Sequence, residues 1–173
     1  MISLPQLSEH DWQDWRALRL AALTDAPAAF SSTLVDWTGT GDTEERWRSR
    51  LISVPFNLIA ELDGRLLGMA SGTSLTDDKV ERISMWVAPE GRGRGLGDAL
   101  IEAVVEWPRQ QGALRVGLDV REDNSQAIAL YERNGFVDCG VAPAPGERRM
   151  VRHLRRAGHP LLTDIGHRYT LTR

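Results

Sequence analysis

A chain of 173 residues has room for one domain and not comfortably for two. Its 21 basic residues, all arginine but Lys79, stand against 24 acidic ones for a formal net charge of −3, which argues against a uniform basic coat for nucleic acid. With 42% hydrophobic and 26% charged residues the composition is that of a soluble globule able to build a core without staples, and Cys139, standing alone, makes no internal disulfide.

The opening MISLPQLSEHDWQDW has neither a basic n-region nor an apolar h-region, so it does not read as a signal peptide. No apolar run approaches the roughly 20 residues of a membrane span. A cytoplasmic protein with no membrane partner is expected. The four histidines (His10, His153, His159, His167) show no zinc-helix spacing, and no metal is expected.

In chain order, MISL is a short strand stopped by Pro5, and Ser8 caps a helix over 9–24 whose apolar stripe is Trp12, Trp15, Leu18, Ala22 and Leu23. Residues 25–41 break that period and form a loop with apolar points at Phe30, Leu34 and Trp37. A short helix begins at Asp42, carries Trp47 and Leu51, and is closed by Pro55. Strands over 56–62 and 65–74 are joined by Asp63-Gly64, a strong hairpin signal. The polar turn TDDK leads into a strand over 80–87. Leu96, Leu100, Val104 and Trp107 mark a helix over 95–107 that Pro108 ends or kinks. Leu114, Val116, Leu118 and Val120 alternate on one face of a strand. Residues 125–134 form a helix closed by Gly135. The last strands, 136–141 and 150–154, flank the turn APAPGE.

Three consecutive strands joined by tight turns are antiparallel, and the following strand–helix–strand passage is a crossover that makes a parallel pair. The fold class is therefore mixed α/β. The domain spans 1–156, followed by a tail over 157–173 without clear periodicity or an assigned role.

The sharpest stretch is VAPEGRGRGLG, residues 87–97, which follows a strand and opens a helix. Gly93, Gly95 and Gly97 strip side chains from the turn. The first N–H groups of the helix have no partner within it, and the helix dipole adds about half a positive charge there. Arg92 and Arg94 supply two mobile cations beside it. This is an anion site sized for a diphosphate. It is no Walker loop, and a dinucleotide fingerprint fails on context, because three strands precede it instead of one.

Arg92, Gly95 and Gly97 after Val87 and Pro89 resemble the pyrophosphate loop of the GNAT N-acetyltransferase family, [RQ]-x-x-G-x-[GA] behind a V-x-P strand end. A second family element, N-x-x-A-x-x-L-Y-x-[RK]-x-G-F, is met by Asn124, Ala127, Leu130, Tyr131, Arg133, Gly135 and Phe136. The resemblance implies the GNAT fold: a mostly antiparallel central sheet, helices on both faces, and a parallel strand pair that splays apart. It implies acetyl-CoA as co-substrate, with pantetheine along the backbone of Met85, Trp86 and Val87 and the diphosphate on Arg92, Gly93, Arg94, Gly95, Leu96 and Gly97. The amine then attacks the thioester directly. Asn124 and Ala127 join the cofactor site, although Asn124 equally caps the helix, with Ser125 a rival cap.

By the same resemblance Tyr131 is the acid that protonates the departing thiolate. Glu81 is the chosen base, with Asp119 second and a water relay the alternative to both. Phe30, Ser31 and Trp37 are weaker candidates for the acceptor site, and Trp86 is a further possible lining residue. The acceptor favoured by analogy is a small-molecule amine, with a peptide or protein amine as alternative. A non-catalytic acyl-CoA-binding protein is the rival from another class. Arg148, Arg149, Arg152, Arg155 and Arg156 form a basic cluster, read first as a solvated last strand. Exposed edge strands at the C-terminal end are compatible with a homodimer.

Overall fold

Among residues described by the structure, a computed structural model, strands lie in the order β1-β2-β3-β4-β5-β7-β6. It describes residues 1–76 and 79–154, and over 74–76 and 79–83 the backbone alone. The strands are β1 (Ile2–Ser3), β2 (Phe56–Leu62), β3 (Arg65–Thr76), β4 (Lys79–Val87), β5 (Arg115–Arg121), β6 (Val137–Val141) and β7 (Glu147–His153). The helices are α1 (Trp12–Asp25), α2 (Glu44–Ser53), α3 (Leu96–Gln110) and α4 (Ser125–Arg133). Asp78 and its neighbour Asp77, within the expected TDDK turn, and residues 155–173, including the tail, lie outside the described residues.

Local signals placed most boundaries. Asp63 and Gly64 both adopt positive φ, 52° and 79°, and turn β2 into β3 with Leu62 opposite Arg65. Ser8 does cap, but over a 3-10 turn at Glu9–Asp11 closed by a reciprocal Ser8–Asp11 capping box, so α1 starts three residues late. Thr43 caps α2, which begins at Glu44 rather than at Asp42. Pro108 does not end α3, which runs to Gln110. The proline stands in the last turn, where its missing N–H costs one ladder bond, and its carbonyl accepts from the Gln111 and Ala113 N–H groups. Leu114 drops out of the inward set at 40% exposure, leaving Val116, Leu118 and Val120 buried.

The pleat sorts the helices onto two faces. Met69, Ser71, Ser84 and Trp86 share one face, where the Trp86 indole donates to Asp25 of α1 and Arg50 of α2 donates to Ser71. Gly68 and Met85 share the other. A Cβ built on Gly68 would stand 3.1 Å from Leu100 of α3, so glycine lets that helix sit close. Trp15 and Trp47, both fully buried, anchor the α1–α2 side; Ile101, Leu118, Tyr131, Phe136 and Met150 form a second cluster under β5 and β7.

Among the described residues, β4 and β5 are paired in parallel only through Lys79–Arg115, Val80–Val116 and Glu81–Gly117. Beyond Glu81, β4 continues on β3 to Val87 while β5 continues on β7 to Arg121. The two strands part at their C-terminal ends, and the gap opens directly before the glycine loop.

Asp42 fastens the α1–α2 connection. Its carboxylate accepts from Arg16 Nε at 2.6 Å, from a second Arg16 nitrogen, and from the Trp47 indole at 2.8 Å. These bonds, Arg16 first, hold its carboxyl down to about 2 from the ordinary 3.8. A depressed folded pKa gives stability that is present above the unfolded value and lost as pH falls through the folded one. Asp42→Asn is therefore expected to lower the urea midpoint most above pH 4, the gap to wild type closing between pH 4 and 2. A gap constant across that window would contradict the assignment.

Candidate active site

After β4 the chain makes a 3-10 turn at Pro89–Gly91 and then passes through Gly93 and Gly95, both left-handed at φ 72° and 83°, into α3. Gly95 is the N-cap and carries no side-chain cap; the helix ladder begins with Ala99 N–H donating to its carbonyl. The preceding N–H groups of the first turn have no acceptor within the helix. Leu96 buries its side chain completely, so it can offer a ligand only backbone. A Cβ on Gly97 would press Leu130 of α4 at 3.1 Å. That glycine lets the two helices approach.

The two loop cations are tethered rather than mobile. Arg92 Nε donates to the Val87 carbonyl at 3.1 Å and its guanidinium pairs with Asp25. Asp25 also accepts the Trp86 indole, and with Arg92 this holds its carboxyl below the usual range. Arg94 reaches Asp63 at 3.4 Å, which also accepts the Met1 ammonium. Both guanidiniums remain about half exposed, so these pairs are weak.

From the loop a groove runs inward in three linked compartments. The outer one, about 510 Å³, is walled by Arg92, Gly93, Gly95 and Gly97 on one side and Gln126, Leu130 and Arg133 of α4 on the other. Sharing Val87, Arg92, Gln126 and Leu130 with it, the middle compartment of about 340 Å³ passes between Met85–Val87 and Asn124, Ala127 and Tyr131. The innermost, about 100 Å³, lies in the strand gap, bounded by Ser84, Met85, Asp119, Tyr131 and Glu147 and covered by Phe30. A larger hollow of about 750 Å³ lies against α1, but neither Tyr131 nor the loop glycines line it.

Tyr131 is 5% exposed, packs its ring 5.9 Å from Phe136, and lines both inner compartments. Asn124 is the N-cap of α4, its side-chain oxygen accepting from Ala127 N–H at 3.1 Å, and it also borders both compartments. Glu81 is placed by its backbone at the last paired step of β4 and β5, and its side chain lies outside the described residues. Asp119 is held by Arg149 in a two-pronged ion pair, both bonds 2.6 Å.

Of the acceptor candidates, Phe30 borders the innermost compartment. Ser31 is exposed beside it. Trp37 lines none of the three compartments: its ring packs tilted against Trp47, centroids 4.5 Å apart, with Arg46 over it, because a core contact buries more of an indole than a loop edge does. In the basic cluster Arg148 pairs with Asp138, Arg149 with Asp119 and Arg152 with Glu102, while Arg155 and Arg156 lie outside the described residues. Glu147 enters the site without a local signal. It ends a turn, and only the β5–β7 register, which sets it opposite Arg121, carries it to the strand gap.

The geometry has relatives. A family model described as the acetyltransferase (GNAT) family matches residues 6–136. A mycothiol acetyltransferase from Clavibacter sepedonicus is 30% identical over 141 residues, covering 81% of this chain and 44% of that protein; the chain thus spans less than half of that relative's length. A ribosomal protein bS18-alanine N-acetyltransferase from Salmonella typhimurium is 30% identical over 131 residues, covering 72% of this chain and 82% of that one. The solved structure of a PaiA N-acetyltransferase from Thermoplasma acidophilum, in complex with coenzyme A, shares the fold at a TM-score of 0.72 and 18% identity, over 89% of this chain and 99% of that one.

Proposed function

This chain belongs to the acetyltransferase (GNAT) family, and from that premise we propose that it transfers an acetyl group from acetyl-CoA directly to the amine of a small molecule. The observation that carries the reading is the continuous groove from the N-terminus of α3 through the splay of β4 and β5 to Tyr131. The loop meets the diphosphate with the N–H groups that open α3, in a cradle where Gly93 and Gly95 present no side chain. Arg92 exchanges Asp25 for phosphate oxygen. Main-chain groups of Met85 to Val87 face the gap past the last β4–β5 pair and take the pantetheine as an added strand.

The reaction forms a bond from the amine nitrogen to the thioester carbon and breaks the bond from that carbon to sulfur. Tyr131 donates its phenolic proton to the leaving thiolate. Before attack the ammonium gives one proton to Glu81 or to a water relay, since Asp119 is committed to Arg149; the second proton leaves the nitrogen after attack and restores the Tyr131 phenol. The innermost compartment of about 100 Å³ supports a small acceptor.

Thiol release from acetyl-CoA, followed across metabolite amines, aminated antibiotics and short peptides, tests this. Turnover of at least one small amine is expected. Tight acetyl-CoA binding with no thiol release from any amine would replace the reading with an acyl-CoA-binding protein.

A further inference from the structure

Arg19 of α1 is buried and Arg50 of α2 half-buried, both without a counter-ion among the described residues. Arg19 is 9% exposed, donates Nη2 to Ser32 at 2.8 Å, and leaves Nη1 buried without a hydrogen-bond partner. Arg50 donates to Asn57 at 3.1 Å and to Ser71 at 3.1 Å. Among the described residues no carboxylate pairs with either. Burial lowers both guanidiniums to about 10, that of Arg50 helped by repulsion from Arg19, so both stay charged at neutral pH. A buried and a half-buried cation that repel each other and have neutral partners cost stability that an anion would restore.

Arg19 stands one side chain behind the innermost compartment and Arg50 two. The Arg19 guanidinium lies 4.5 Å over the Phe30 ring, and Phe30 borders that compartment. Arg50 reaches Ser71, whose hydroxyl meets that of Ser84 at 3.4 Å, and Ser84 borders it too. Asp119 on the same wall is neutralised by Arg149.

We propose that Arg19 and Arg50 bind a carboxylate of the acceptor, so that the substrate is an amino acid or a similarly small amino carboxylate. The contact requires the Phe30 ring, which lies between the Arg19 guanidinium and the compartment, to move aside. The carboxylate sits at that end, and the ammonium points to the Glu147 and Tyr131 end. This rests on the acetyltransferase reading and names its acceptor class.

The test compares free amino acids with their amides and decarboxylated amines in the thiol-release assay, using wild type, Arg19→Met and Arg50→Met. Wild type is expected to favour the carboxylates by at least tenfold in kcat/KM, and each variant to bring that ratio close to one through a higher KM. A wild-type ratio near one overturns the proposal, as does stronger selection of phosphate-bearing amines run alongside. A second arm follows thermal unfolding in saturating CoA. N-acetylated amino acids should raise the melting temperature of wild type and not of Arg19→Met; no rise in wild type overturns the proposal even if no acceptor turns over. Without ligands, Arg19→Met should melt no lower than wild type, because it removes an uncompensated charge. A drop of several degrees would make the guanidinium structural and overturn the assignment. Failure to bind acetyl-CoA at all would instead sink the acetyltransferase reading.

Discussion

Tyr131→Phe is expected to lower kcat about 100-fold while leaving the KM for acetyl-CoA within a few-fold of wild type. A positioned general acid contributes about 10²- to 10⁴-fold. The lower end applies here because a thiolate is a fair leaving group even unprotonated. The variant keeps the ring that packs on Phe136 at 5% exposure, so its unfolding free energy in urea should differ from wild type by about 1 kcal/mol or less. That separates chemistry from folding. Equal kcat values in both proteins would show that water protonates the thiolate, and Tyr131 would revert to a core aromatic. A fall in kcat/KM caused entirely by KM would assign it to binding instead.

The parts of this site legible in the sequence are those encoded within one short segment. The glycine loop, the Asn124 cap and the placing of Tyr131 on a helix depend on spacing inside VAPEGRGRGLG and NSQAIALYERNGF, and local φ/ψ demands fix them. The Asp63-Gly64 hairpin is of the same kind. What stayed hidden depends on pairings across the sheet. Asn57, 1% exposed, donates to the Leu51 and Val54 carbonyls and accepts from Arg50 and Ser71, a hub joining α2 to β2 and β3. No periodicity marks a buried asparagine on an apolar strand as such a hub. Trp37 failed as a cavity wall for a related reason. An aromatic in a loop has two burial options, and the choice went to Trp47, ten residues on. Arg92 and Arg94 looked mobile because their partners, Asp25 and Asp63, are 67 and 31 residues away in sequence.

Gly95→Asp is expected to weaken acetyl-CoA binding at least 100-fold by calorimetry, about 3 kcal/mol, without unfolding the protein. Two opposing effects act on the fold. A left-handed φ of 83° costs a non-glycine residue about 1 kcal/mol, aspartate less than most. A carboxylate at the N-terminus of α3 recovers a similar amount from the helix dipole. A Cβ at this position meets only Ile2, at 3.9 Å, so no clash inside the protein adds to the balance. The effect on the ligand has one sign. The new carboxylate occupies the mouth of the outer compartment, competes for the same N–H groups, and repels the diphosphate through little intervening water. Gly95→Asn isolates the charge, since asparagine has nearly the same shape and tolerates the same backbone. It should weaken binding about tenfold or less, and raising the salt concentration should narrow the gap between the two variants. Equal and small losses in both would place the diphosphate elsewhere in the groove, and the assignment of the loop would fall with it.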